Sequence, residues 1–222
     1  MADPQNDLDD GEDVPAQYAS PPCFMHELMP GYDGGQSVSV DVARWRKAER
    51  ARLIEARLAL SADTRGAHAA IIAEKLDAAL GDAAGVLVAL YWPFRGEPDL
   101  REWAGRVIER GGAIALPVVL AKATPLEFRR WAPGDRLEKG VWNIPIPAEG
   151  EAVFPDVVVS PVVGFDSGNY RLGYGGGFYD RTLASLPRKP RVFGVGYAMQ
   201  EIATIYPQAY DIPMDVVFTE RP

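Results

Sequence analysis

Phe165 to Arg181, reading FDSGNYRLGYGGGFYDR, concentrates residue types that bind and move negative charge. Five glycines share this stretch with Arg171, Arg181 and Asp180, between an apolar run at Val157–Val163 and an amphipathic stretch from about Phe178. Glycines at a strand-to-helix junction let backbone N–H groups approach an anion, and the helix N-terminus that follows favours negative charge there. Arg171 and Arg181 are candidates to neutralise phosphate oxygens, Arg171 through a planar fork that stays ionised, and Asp180 is placed to hold Mg²⁺. A plain glycine-rich turn is the competing reading. The pattern is neither the GxxxxGK[ST] of a P-loop nor a dinucleotide GxGxxG, because it lies late in the chain and lacks an acidic residue after a following strand.

Three further groups carry potential chemistry. Arg46, Arg50 and Arg57 fall within about 40° of one another at about 100° per residue, so one helix face bears three cations together with Leu53. From pattern alone a solvated face, salt-bridged with Glu49 and Glu55, is the simpler reading. Trp92, Phe94 and Glu97 follow an apolar run, and strand alternation puts both rings on one side. An aromatic slot with one carboxylate suits a pterin, whose ring stacks and whose amino and amide N–H groups need an acceptor; a core-plus-surface reading explains the same residues equally well. Phe178 and Tyr179 form a second aromatic pair, and Trp142 is either a cleft wall or a buried structural residue. Cys23, His26 and Glu27 lie close together, but one Cys and one nearby His do not make a ligand set, and docking of this apolar patch is the preferred reading.

These residues need elements to hold them. Asp41 is a candidate cap for a helix to about Leu60, and Ser61 for a second helix ended by Gly81. Asp99–Arg110 reads as another helix. Apolar, mostly β-branched runs at Val86–Tyr91, Ala113–Val119, Val157–Val163, Val192–Tyr197 and Val216–Thr219 alternate with helical or turn-rich segments. The expectation is a three-layer α/β domain, Rossmann-like, with a mostly parallel sheet and helices on both faces. Ligands collect at the carboxyl ends of such strands, where Trp92–Glu97 and the glycine segment both lie.

Composition narrows the function. The chain has 222 residues and a net charge of −8, but residues 1–41 hold nine acids and no Lys or Arg, leaving 22 acids against 23 basic residues beyond them. A near-neutral globular part argues against general nucleic-acid binding. Residues 1–37, rich in Asp, Pro, Gly and Ser, read as a flexible or docked arm ahead of a single domain over 38–222. The single cysteine permits no intrachain disulfide, and there is neither a transmembrane run nor a signal-peptide pattern, so a cytoplasmic protein without membrane contact is expected.

The string RLGYGGGFYDR, with Phe165-Asp166 upstream, closely resembles the signature of the 5-formyltetrahydrofolate cyclo-ligase (methenyltetrahydrofolate synthetase) family. Arg46–Ser61, Tyr91–Glu97, Trp142–Pro145 and Gln200–Glu220 resemble other family segments in order, so the likeness spans roughly Ala43 to Glu220. It implies ATP-dependent cyclisation of 5-formyltetrahydrofolate to 5,10-methenyltetrahydrofolate by a monomer whose partners are small molecules. The resemblance also implies roles. Arg46, Arg50, Arg171, Gly173, Tyr174, Gly175, Gly176, Gly177, Phe178 and Tyr179 would bind ATP, with Arg171 and Tyr179 catalytic. Trp92, Phe94, Glu97, Trp142 and Phe178 would hold the folate, and Asp180 and Asp211 would hold Mg²⁺. Phe178 stands where relatives often have Tyr, and Arg46 where they often have Lys. A relative that binds folate or nucleotide without this reaction, or acts on another substrate, is the alternative; a nicotinamide oxidoreductase would need an early βαβ fingerprint that is missing.

Overall fold

The computed structural model describes residues 35–222, with side chains from residue 40 onward; the Cys23, His26 and Glu27 patch and most of the expected arm lie outside the described residues. The chain opens with α1 (Gly35–Leu58) and α2 (Ala62–Leu80), followed by β1 (Leu87–Ala89), α3 (Arg101–Glu109), β2 (Ala113–Val119) and β3 (Leu126–Trp131). A hairpin of β4 (Leu137–Lys139) and β5 (Pro145–Pro147) precedes β6 (Ala152–Val153) and β7 (Val157–Pro161). A second hairpin, β8 (Gly164–Phe165) and β9 (Arg171–Leu172), leads to α4 (Phe178–Ser185), β10 (Arg191–Val195) and β11 (Val216–Phe218).

Seven strands form one sheet in the order β11-β10-β7-β1-β2-β3-β6. The first five are mutually parallel, and β3 and β6 extend the sheet antiparallel. On one face Ile72, Leu76 and Leu80 of α2 and Trp103 and Val107 of α3 pack on Val88, Ile114, Leu116, Val157 and Val159. On the other, Leu183 of α4 packs on Leu87, Ala89, Ala115 and Val158. Alternating strand residues thus feed two cores, which gives the expected three layers.

The five parallel strands fall on the expected apolar runs. β3 was not anticipated: Leu126–Trp131 carries Glu127, Arg129 and Arg130, and only Phe128 and Trp131 are buried, so no apolar run marks it. The first helix also differs. α1 begins at Gly35 and passes through Asp41, which pairs with Arg44 on the helix surface instead of capping the N-terminus. Ser61 does cap α2, accepting a bond from the Thr64 backbone N–H at 3.0 Å, and Gly81 ends it with φ 72°.

From β1 the chain crosses to β2 on one side, while the later β7 pairs on the other. The carboxyl ends of β1 and β7 therefore flank a topological switch point, where a crevice opens in doubly wound sheets.

Candidate active site

A cleft of about 490 Å³ occupies this position, walled by α1, the segment after β1, the β4–β5 hairpin and the glycine segment. It brings together every residue expected to bind a ligand apart from Gly176 and Arg181. Arg181 is turned away. Its guanidinium folds back to donate to the Gly176 carbonyl and lies 5.9 Å from the Phe178 ring, so it closes its own loop instead of facing the cleft.

The signature's upstream part is structural. Buried Asp166 accepts from the backbone N–H groups of Gly168 and Tyr170 at the hairpin turn and from that of Ile205 in the C-terminal segment. Beyond β9 the loop changes character. Among the described residues, no backbone N–H from Gly173 to Gly177 donates a hydrogen bond. Gly175 (φ 100°) and Gly177 (φ 63°) occupy backbone conformations that favour glycine, and Gly177 leads directly into α4. A row of free donors before a helix N-terminus is a receptor for an anion.

The three-cation face of α1 turns inward, not into solvent, because Leu53 anchors it in a small core with Val163, Leu172 and Ile205. Its arginines then diverge. Arg46 is held by the carbonyls of Ile205 (2.9 Å) and Tyr206 (2.8 Å) and forms an ion pair with Asp211 at 2.5 Å. Arg50 donates through Nε to the Gly173 carbonyl at 2.7 Å, and neither terminal nitrogen bonds a described residue. Burial, then the neighbouring Arg46 charge, lowers its pKa to about 10, which leaves it cationic at neutral pH. A Cβ on Gly175 would stand 3.4 Å from its guanidinium carbon, so the free fork lies against the donor loop.

Arg171 and Asp180 pair at 2.5 Å, and both grip Ile212: Arg171 donates to its carbonyl at 2.9 Å and Asp180 Oδ1 accepts its N–H at 3.0 Å. Burial lowers the Arg171 pKa. Arg171 also lies 5.8 Å from the centre of the Tyr179 ring. Both contacts of Asp180 fall on Oδ1, so Oδ2 remains a possible ligand to a cation at the cleft wall. Asp211 differs. Its Oδ2 accepts from Arg46 and from the Gln208 N–H, and its Oδ1 from Arg46, so both oxygens are engaged. Among the described residues no cluster of three His, Cys, Asp or Glu could hold a metal, which fits Mg²⁺ only in the form bound by one carboxylate plus phosphates and water.

The other end of the cleft is aromatic. Phe94 and Trp142 lie parallel, 6.0 Å between centroids and 5° between planes, with Tyr174 tilted against both. Trp142 and Asn143 sit in the left-handed region (φ 55° and 57°), a strained turn between β4 and β5 that presents the indole over the cleft. Trp92 packs edge-on to Trp131 behind them. Glu97 is 6% exposed; its Oε2 accepts the Phe94 N–H at 2.9 Å and its Oε1 the Tyr174 hydroxyl at 3.0 Å. Burial pushes its carboxyl up to about 7 despite the lowering influence of Arg57 and these two donors. Arg57, on the same α1 face as Arg46 and Arg50, is fully buried and reaches this group through Tyr174, a contact that the helical spacing did not reveal.

Fold and cleft together define an α/β domain with a loop of unpaired backbone donors at one end of a switch-point crevice and an aromatic, carboxylate-bearing slot at the other. The sequence profile of the 5-formyltetrahydrofolate cyclo-ligase family matches residues 42–220, and the chain belongs to that family. The 5-formyltetrahydrofolate cyclo-ligase of Escherichia coli (strain K12) is 32% identical over 139 residues, which cover 60% of this chain and 76% of that protein. The Mycolicibacterium smegmatis protein of the same name is 32% identical over 148 residues, covering 62% of this chain and 75% of its own length. The NMR structure of Aquifex aeolicus 5,10-methenyltetrahydrofolate synthetase superposes with a TM-score of 0.69 at 31% identity, over 80% of this chain and 90% of the other.

Proposed function

We propose that this protein catalyses the ATP-dependent cyclisation of 5-formyltetrahydrofolate to 5,10-methenyltetrahydrofolate, releasing ADP and phosphate. The observation that carries the reading is the pairing, in one cleft, of a loop of free N–H donors beside the unengaged Arg50 fork with a buried carboxylate among aromatic rings. The first half matches a polyphosphate and the second a pterin.

An N-formyl oxygen is a poor leaving group. Transfer of the γ-phosphoryl group to that oxygen, with cleavage of the bond to ADP, gives an activated imidate phosphate. N10 then attacks the formyl carbon and gives up its proton, and the C–O bond breaks to release phosphate. Such chemistry asks for positioning and charge stabilisation rather than a side-chain nucleophile. Arg50 and the Gly173–Gly177 N–H groups hold the phosphates, and Arg171 fixes Asp180 while adding positive charge beside the loop. Tyr179 stands over Arg171 at the junction of the two halves. Asp180 would hold Mg²⁺, which when bound neutralises phosphate charge. Arg46, engaged by Asp211, keeps the C-terminal segment on α1 and so shapes the phosphate end. Trp92, Phe94, Trp142 and Phe178 wall the folate, and Glu97 accepts its N–H groups.

The working unit is residues 38–222, a monomer acting in the cytoplasm on small molecules. Among the described residues no helix is long and apolar enough to cross a membrane. Pure protein given 5-formyltetrahydrofolate, Mg²⁺ and ATP should raise the methenyl absorbance with one ADP formed per product. Tight folate binding without ATP-dependent absorbance change would instead identify a non-catalytic folate-binding relative.

A further inference from the structure

Arg57 is an unusual residue to bury. It is 0% exposed and makes no ion pair with a described residue, although a lone buried cation is strongly unfavourable. Its Nε donates to the Arg95 carbonyl at 2.8 Å, one Nη to the Val162 carbonyl at 3.3 Å, and the other Nη to the Tyr174 hydroxyl at 2.6 Å. A guanidinium has donors only, so the Tyr174 oxygen must accept from Arg57 and its proton must point elsewhere. It points at Glu97 Oε1, 3.0 Å away. The anion that answers the buried cation is therefore Glu97, reached through one hydroxyl of defined polarity.

The turn bearing Glu97 is held with equal completeness. The carbonyl of Arg95 is taken by Arg57, that of Gly96 by the Tyr197 hydroxyl at 3.0 Å, and that of Pro98 by the Tyr91 hydroxyl at 2.6 Å. With the Phe94 N–H on Oε2, each Glu97 oxygen has one inward acceptor site occupied. A carboxylate has about four such sites, so two remain, and Glu97 lines the cleft.

We propose that Arg57 and Tyr174 are positioning residues for the folate half of the site: the buried guanidinium, acting through the Tyr174 hydroxyl, orients the Glu97 carboxylate to receive two N–H donors of the pterin. This rests on the substrate reading above. It moves Tyr174 from the phosphate half, where the signature's resemblance puts it, to the folate half. It also has a pH consequence. The groups facing Glu97 are Arg57 from α1, Tyr174 from the glycine loop, Tyr91 after β1, Tyr179 from α4 and Tyr197 after β10. Of these, Arg57 and Tyr174 lower the carboxyl against the effect of burial, so cutting the relay raises it and removes the carboxylate at a higher pH.

Tyr174→Phe in the full chain is the deciding variant, because it leaves Arg57 on the Arg95 and Val162 carbonyls and cuts only the relay. Calorimetric titrations with 5-formyltetrahydrofolate and with a non-hydrolysable ATP analogue, from pH 6 to 9, should show folate Kd rising about ten-fold or more. The nucleotide Kd should stay within about two-fold of wild type, and the acid limb of folate binding should shift to higher pH. Arg57→Lys, which keeps the charge and loses the fork, should move the same quantities in the same direction. Unchanged folate affinity in Tyr174→Phe, or an equal loss of nucleotide affinity, overturns the proposal. A wild-type protein that does not bind 5-formyltetrahydrofolate sinks the substrate reading instead. The relay is then decided by a carbon-13 NMR titration of the Glu97 carboxyl: an upward shift in Tyr174→Phe supports it, and an unchanged midpoint overturns it.

Discussion

The two ends of the cleft are built on opposite principles. In the glycine loop the backbone donors from Gly173 to Gly177 and the terminal nitrogens of Arg50 are left without partners among the described residues. In the Glu97 turn the carbonyls of Arg95, Gly96 and Pro98 accept from the side chains of Arg57, Tyr197 and Tyr91, and the two carboxylate oxygens accept from the Tyr174 hydroxyl and from the turn's own Phe94 N–H. Unpaired donors in a crevice are costly unless a ligand or water meets them, which supports the proposal that the first end serves an anion that arrives and leaves. A clamped carboxylate with two acceptor sites open is pre-organised, which reduces the ordering needed when a rigid, flat donor docks. In this proposal one half meets its ligand with free donors and the other with a fixed acceptor.

Arg50→Ala should break this contrast most strongly on the phosphate side. Two charge-assisted bonds of roughly 1.5–3 kcal/mol each correspond to about a hundred-fold or greater loss of ATP affinity, with folate affinity unchanged. Separate titrations of the two ligands check it. A matching loss of folate affinity would show that Arg50 holds the cleft together instead of serving one end.

Glu97→Gln sharpens the comparison on the other side, because there ligand binding and stability pull apart. Folate affinity should fall about ten- to a hundred-fold, the scale of a hydrogen bond to a charged acceptor. Stability should move the other way. The folded carboxyl lies at about 7 against an ordinary 4.5, so its stabilising contribution is full below pH 4.5 and lost as pH rises through about 7. At about 1.4 kcal/mol per pH unit this amounts to about 3 kcal/mol. Gln cannot ionise, so at pH 8 the variant should resist urea better than wild type, while near pH 4.5 the two should match. A variant less stable than wild type at pH 8 would make Glu97 a support of the fold.

Much of this architecture was legible before the structure, and the gaps have physical causes. The five parallel strands are buried on both faces and so announce themselves as apolar runs, whereas β3 carries Glu127, Arg129 and Arg130, and β6 has only two residues. The residue types that line the cleft were legible in the sequence motifs. Their state of engagement was not. Arg46 and Arg50 are alike in sequence and one turn apart, yet one is bound by Asp211, 165 positions away, and the other is not. Arg57 shared that helix face, but its importance depends on a Tyr174 hydroxyl 117 positions distant. Local periodicity carries no information about such pairings.

The smallest effect expected is at Trp142, and it tests whether the folate end is closed by the β4–β5 hairpin or by the Glu97 turn alone. The indole is 38% exposed and touches the site through its parallel alignment with Phe94 and its tilt against Tyr174. An aromatic pair contributes about 0.5–1.5 kcal/mol beyond its buried area, so Trp142→Ala should weaken folate binding by only about two- to twelve-fold. ATP binding should not change, since no part of the glycine loop other than Tyr174 stacks on this ring. Because the left-handed backbone at Trp142 is strained for a bulky residue, Trp142→Gly should lose the same affinity while relaxing the turn, which thermal melting would record as an equal or higher midpoint than that of the Ala variant. A loss of folate affinity as large as that of Glu97→Gln would mean that the hairpin, and not the clamped carboxylate, sets the strength of this half.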